Sequence, residues 1–124
     1  MGAGRFWWSE FCTHNPERAM AFYTLVFGWA FTPSPERPGA LWLIEHDGML
    51  VGSLFNLDGV APGEVADHWL TYFESDDVDT SVAAVVAAGG RVLRAPFDVP
   101  NGCRIAIVLD AGGGCFGLGQ KAQA

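Results

Sequence analysis

Two carboxylates, Glu10 and Glu74, lie in segments that otherwise have the aromatic and apolar make-up of strands, and they are the residues of this chain best placed to do chemistry. Glu10 belongs to Phe6-Trp7-Trp8-Ser9-Glu10-Phe11-Cys12 and Glu74 to Trp69-Leu70-Thr71-Tyr72-Phe73-Glu74. Alternate residues of a strand share a face. Trp8, Glu10 and Cys12 therefore form one set, and His68, Leu70, Tyr72 and Glu74 another. A carboxylate on an inward strand face is costly unless it is paired, hydrated or functional. Two roles are open to Glu10. It either makes a structural pair with an Arg or with Tyr72, or it serves as a general base or ligand contact working with Tyr72 or Cys12. Glu74 is nearer its strand end and is expected to be solvated. The three histidines, His14, His46 and His68, are scattered along the chain, whereas metal ligation needs convergent donors, so each reads as an exposed or loop-satisfied ring. Cys12, Cys103 and Cys115 form neither a C-x-x-C nor an even framework and read as reduced, buried thiols.

The elements that must position these residues occur twice. Shifting the chain by 62 positions brings Trp7 onto Trp69, Phe11 onto Phe73, Ala21 onto Ala83 and Gly28 onto Gly90. In the first copy, the strand Phe6–Cys12 is followed by His14-Asn15-Pro16-Glu17, a helix start in which Asn15 caps, Pro16 suits the first turn and Glu17 complements the dipole. Ala19, Phe22, Tyr23 and Val26 then recur at helical spacing as one buried face, and Gly28 ends the helix. In the second copy Trp69–Glu74 is the strand, Asp76-Asp77 the cap, Val78, Val82, Val85 and Val86 the apolar face, and Gly89-Gly90 the stop. Strands follow each helix: 29–33, 40–46 and 50–57 in the first copy, and 91–95, 104–110 and 115–120 in the second. Asp47-Gly48, Asn101-Gly102 and the Gly112–Gly114 run are the turns. The reading is a single α+β domain over residues 1–124. Its two tandem β-α-β-β-β modules, at 5–58 and 67–121, form curved mixed sheets around a cavity.

Composition narrows the function. Of 124 residues, 50% are hydrophobic and 17% charged, which excludes a disordered acidic tail. Six Arg and Lys121 against fourteen acidic residues give a net charge of -7, so a phosphate backbone is repelled and nucleic acid is not an expected partner. No apolar run reaches the ~18–20 residues of a membrane span, and Met1 to Trp8 lacks the pattern of a secretion signal. A cytoplasmic protein without membrane association is expected. The hydrophobic surplus points to a homodimer.

The paired modules, with Phe11-x-Thr13-x-Asn15-Pro16-Glu17-Arg18-Ala19-x-x-Phe22-Tyr23-x-x-x-Phe27-Gly28-Trp29 in the first, resemble the vicinal oxygen chelate superfamily of glyoxalase I, bleomycin-resistance proteins and extradiol dioxygenases. Asp77-Val78-Asp79, Gly89-Gly90, Pro96 and Gly102-Cys103-Arg104 extend the likeness. Asp110-Ala111-Gly112-Gly113 departs from it, because relatives usually carry Asp-Pro-x-Gly there, and this loosens the alignment of the last strand by about a residue. The resemblance implies a ligand cavity on the face of Glu10 and Tyr72. It also implies metal-ligand positions at Trp8, Leu70, Gly52 and Gly117, or at Ser53 and Leu118 after a one-residue slip. None of the first four carries a side-chain donor, so no metal and no cofactor are expected. The implied function is a metal-independent, aromatic-walled pocket for a small organic molecule, as in a resistance or sequestering factor. Ligand contacts are expected from Trp8, Glu10, Cys12, Leu70, Tyr72 and Glu74. The alternative is an acid-base enzyme (a lyase, isomerase or hydroxylase-like catalyst) using Glu10 and Tyr72. A third reading is a metal enzyme with ligands reassembled from Glu10, Glu74 and His68. Fold alone does not choose among them.

Overall fold

Asn15 and Pro16 start the first helix as their chemistry dictates. In the computed structural model, which describes residues 3–100 and 102–122, β1 (Phe6–Thr13) leads into α1 (Pro16–Phe27). The Asn15 side chain accepts the Arg18 N–H at 3.1 Å. Gly28 closes the helix in the left-handed region at φ 74°, its N–H donating to the Thr24 carbonyl. There follow β2 (Ala30–Pro33), β3 (Leu41–His46) and β4 (Met49–Asn56). Asp47 and Gly48, at φ 53° and 77°, make the tight turn between the last two. The second module repeats the order with β5 (His68–Glu74), α2 (Val78–Ala87), β6 (Arg91–Asp98), β7 (Arg104–Leu109) and β8 (Cys115–Gln120). The fold is thus α+β with two β-α-β-β-β modules.

The repeat offset holds at the start of each module and then drifts. β1 and β5, and likewise α1 and α2, begin 62 residues apart, but β4 and β8 begin 66 apart. The difference lies in the turn before β8. There the Asp110 carboxylate accepts N–H groups from Gly112 at 2.9 Å and Gly114 at 2.8 Å. These donors hold Asp110 below the usual carboxylate range. A loop built around this carboxylate replaces the two-residue turn of the first module.

The chain groups into two compact units, residues 9–69 and a discontinuous unit in which the segment up to Trp8 joins Leu70 onward. In the contiguous unit the strand order is β2-β3-β4-β1, with β1 parallel to β4. Ala19, Ile44, Leu54 and Leu57 are buried. The Tyr23 ring lies 5.5 Å from Phe11, 5.2 Å from Trp29 and 5.7 Å from Trp69, and the Trp69 indole N–H donates to its hydroxyl at 3.2 Å. In the discontinuous unit the order is β5-β8-β7-β6, with β5 parallel to β8. Val78 of α2 joins Ala106, Val108 and Leu118 in the core, flanked by Val82, Val85 and Phe116. Arg104 ties the start of α2 to two strands, donating to Asp79 at 2.8 and 3.0 Å and to Asp98 at 3.1 Å.

Several expectations need correction. Of the four apolar residues expected on the buried face of α1, only Ala19 is buried, while Phe22 and Val26 are 57% and 50% exposed. Apolar side chains circle α1, since Leu25 and Phe27 are exposed as well, and one sheet face cannot cover them all. Val86 of α2 is likewise exposed. β6 runs on to Asp98, past Pro96, which the outermost strand tolerates because it has ladder bonds on one side only. Among the thiols Cys12 is buried, but Cys103 is half-buried and Cys115 exposed. Asn101, one half of an expected turn, lies outside the described residues. Among the described residues no helix is long and apolar enough to cross a membrane.

Candidate functional site

Parallel pairing of β1 with β4 sets Glu10 opposite Ser53 and Phe11 opposite Leu54. Phe11 packs toward Tyr23 of α1, so alternation turns Glu10 and Cys12 to the other sheet face. There the Ser53 hydroxyl, on a residue only 2% exposed, donates to Glu10 Oε2 at 2.7 Å. Cys12 is buried, its sulfur 4.0 Å from the Glu10 carbonyl oxygen. The sequence reading offered Arg or Tyr72 as the partner of Glu10 and missed this hydroxyl. The pairing that brings it there joins residues 43 apart, and no local signal in either strand specifies it.

In the discontinuous unit, Leu70, Tyr72 and Glu74 are all buried. The Tyr72 ring covers Gly117, its register partner, and a Cβ at Gly117 would collide with it. The Trp7 ring covers Gly119 in the same way. The aromatic that joins Tyr72 and Glu74 on this face is therefore Trp7. Trp8, one residue on, follows Phe6 by alternation, and Phe6 packs 4.8 Å from Phe73 on the face of α2's core. Glu74 is buried rather than solvated because its carboxylate has two cations to meet, Arg5 Nη2 at 2.9 Å and Lys121 Nζ at 3.6 Å. The Arg5 hydrogen bond, and then Lys121, hold its carboxyl below the ordinary value of 4.5. Its contribution to stability is therefore present above pH 4.5 and fades as pH falls through the lower folded-state value.

The register also aligns the metal-ligand positions implied by the resemblance. Glu10 pairs with Ser53, and Tyr72, which lies 62 positions after Glu10, pairs with Gly117. The equivalent last-strand residues are thus Ser53 and Gly117. With Trp8 and Leu70, this set offers one hydroxyl, which is already bonded to Glu10, and a glycine beneath an aromatic ring. Such donors do not fit a divalent cation, which needs several N, O or S ligands converging. Among the described residues no group of three or more His, Cys, Asp or Glu could hold one.

His14 lies in the turn before α1, whereas His46 ends β3 and His68 opens β5. His46 is exposed beside Asp47, and His68 Nδ1 meets the Ala66 carbonyl at 2.8 Å. His14 is held on both ring nitrogens, by Asp58 at 2.9 Å and by the Val65 carbonyl at 2.7 Å. Beside it, on the α1 side, an open groove of about 270 Å³ is walled by Phe11, Phe22 and Tyr23, with Thr13 and Asp67 at its polar end. That polar end is used internally. Asp67 accepts the Thr13 hydroxyl at 2.6 Å and the His14 backbone N–H at 3.0 Å, and these bonds keep its carboxyl below 3.8.

Comparison with known proteins agrees with this architecture. The chain is 32% identical over 115 residues to a Mycobacterium tuberculosis protein named "Putative glyoxylase CFP32", a match covering 91% of this chain and 44% of that protein. It is 29% identical to the anthracycline biosynthesis protein DnrV of Streptomyces peucetius, covering 92% of this chain and 46% of that one. The chain spans less than half the length of these curated relatives. Among solved structures, a Bacillus halodurans hypothetical protein superposes with a TM-score of 0.67 at 12% identity, over 97% of this chain and 96% of the other. A Streptomyces coelicolor methylmalonyl-CoA epimerase in complex with 2-nitronate-propionyl-CoA gives 0.62 at 20% identity, over 98% and 99%. Residues 8–114 match the profile of the Glyoxalase/Bleomycin resistance protein/Dioxygenase superfamily, and the chain belongs to that family.

Proposed function

We propose that this protein binds a small organic molecule without a metal ion, with the Glu10 carboxylate as the polar anchor of the ligand. The observation that carries the reading is the Ser53–Glu10 hydrogen bond at 2.7 Å, which commits the one hydroxyl among the implied metal-ligand positions to a carboxylate. A carboxylate oriented by a buried hydroxyl supplies a fixed negative group on the sheet face opposite α1. Within the discontinuous unit, Leu70, Tyr72 and Glu74 alternate onto one strand face and are proposed as ligand contacts there, with Trp8 a further candidate on the opposite face. The names of the relatives, one in anthracycline biosynthesis and one holding an acyl-CoA analogue, support an organic ligand rather than a macromolecule. A resistance or sequestering role fits binding without turnover.

A second reading is acid-base catalysis, with Glu10 as the base and Tyr72, in the other unit, a second candidate acid-base group. The same hydroxyl favours it, because a catalytic carboxylate must also be oriented. A thermal-shift screen of metabolites and antibiotics, with turnover assays on each hit, separates the two, since a ligand of the folded state raises Tm by mass action. The expected result is a stabilising ligand whose affinity falls tenfold or more, about 1.4 kcal/mol, in Glu10→Gln while folding stays intact. A variant that binds normally but unfolds early removes Glu10 from the site. Elemental analysis finding about one zinc, nickel, iron or manganese per chain overturns the metal-independent reading.

A further inference from the structure

Both ring nitrogens of His14 face acceptors. Nδ1 lies 2.9 Å from Asp58 Oδ1 and Nε2 lies 2.7 Å from the Val65 carbonyl oxygen. Only the imidazolium carries two N–H donors, whereas a neutral ring has one donor and one lone pair. A neutral His14 would therefore set a lone pair against either the carboxylate or the carbonyl, and one contact must open. Asp58 and Val65 both belong to the connection between β4 and β5, which is otherwise tied to itself through Val60 and Ala61 N–H to Leu57 O and Val65 N–H to Pro62 O. Its two ends are fastened independently of the ring, by Leu57 N–H to Thr13 O at 2.8 Å and by Asp67 to Thr13 and the His14 backbone.

We propose that His14 is a protonation-dependent clasp that holds the middle of the 57–67 connection against the end of β1 when charged and releases it when neutral. The charges acting on the ring are Asp58 and Asp67, both from the connection, and among the described residues α1 contributes none. His68 acts on the Asp67 carboxylate. The Asp58 hydrogen bond, and next the Val65 carbonyl, raise the ring above its ordinary value of 6.5. The sign follows from this. The clasp is fully made below 6.5 and is lost as pH rises through the folded-state value. Asp67 is held below 3.8 and stays ionised throughout, so the two ends of the connection remain fastened while its middle loosens.

Amide exchange and ring chemical shifts, followed by NMR over roughly pH 5 to 9, test this. The expected result is a His14 midpoint above 6.5. After correction for intrinsic exchange, protection at the Val60, Ala61 and Val65 amides should fall about threefold or more through that midpoint, with Leu57 unchanged. In His14→Gln, which cannot charge, the same amides should show no such step. Asp58→Asn, which leaves the ring in place, should lower the midpoint even if His14→Gln folds poorly. A midpoint at or below 6.5, a Val65 protection factor indifferent to the titration, the same step in His14→Gln, or an unmoved midpoint in Asp58→Asn would each overturn the proposal.

Discussion

Gly117 and Gly119 carry no chemistry, yet they fix where two aromatic rings lie. Each sits under a ring, Tyr72 and Trp7 respectively, at a distance that leaves no room for a Cβ. Adding a methyl group to so close a contact forces a backbone or rotamer shift of ~1–3 kcal/mol. Gly117→Ala is therefore expected to lower the unfolding free energy by that amount, with a lower urea midpoint, and to disturb Tyr72, whereas Gly63→Ala, with open space around it, should change little. Parallel urea titrations of the two variants check this. At this scale the sequence was legible wherever alternation alone decides. It put Glu10 and Cys12 on one face, as the alternation of β1 requires. It chose Trp8 rather than Trp7 for the aromatic contact and met Ser53 only as a slipped metal-ligand position, because both depend on which strand lies alongside and in what register.

Helix ends were legible from composition and helix flanks were not. Asn15, Pro16 and Gly28 act through hydrogen bonds and dihedral preferences confined to a few residues, so local chemistry is enough to place them. Asn15→Ala removes an acceptor from the Arg18 N–H and should destabilise the protein by about 1 kcal/mol, with Asn15→Ser retaining most of the stability. Thermal or urea unfolding of both variants measures this, and equal losses would mean the cap contributes nothing specific. The apolar face of α1 is another matter. Its spacing marks it as buried, but spacing cannot say how much of a helix the sheet covers, and Phe22, Leu25, Val26 and Phe27 stand exposed.

Those exposed side chains bear on the whole molecule. Together with Met49, Leu50 and Val51 at the β3–β4 hairpin, they are apolar surface of the kind that associates. We therefore expect a homodimer, with multi-angle light scattering giving a mass near twice 13.3 kDa. A mass of a single chain at micromolar concentration, or a dimer unaffected by Leu25→Glu, would argue against α1 as its interface. The sharing of β1 between the two units has a different consequence, one of timing. Residues 9–69 follow one another, so a ribosome delivers that unit whole before residues 70 onward exist. The other unit has its first segment at the start of the chain, and Arg5 meets Glu74 across 69 residues. The resting place of Trp7, over Gly119, emerges later still. Long-range closure of this kind is slow and leaves apolar surface waiting. During synthesis Phe6 waits for Phe73 of β5 and Trp7 for Gly119 of the last strand, and that interval is when the nascent chain is most open to capture by a chaperone or by another copy of itself.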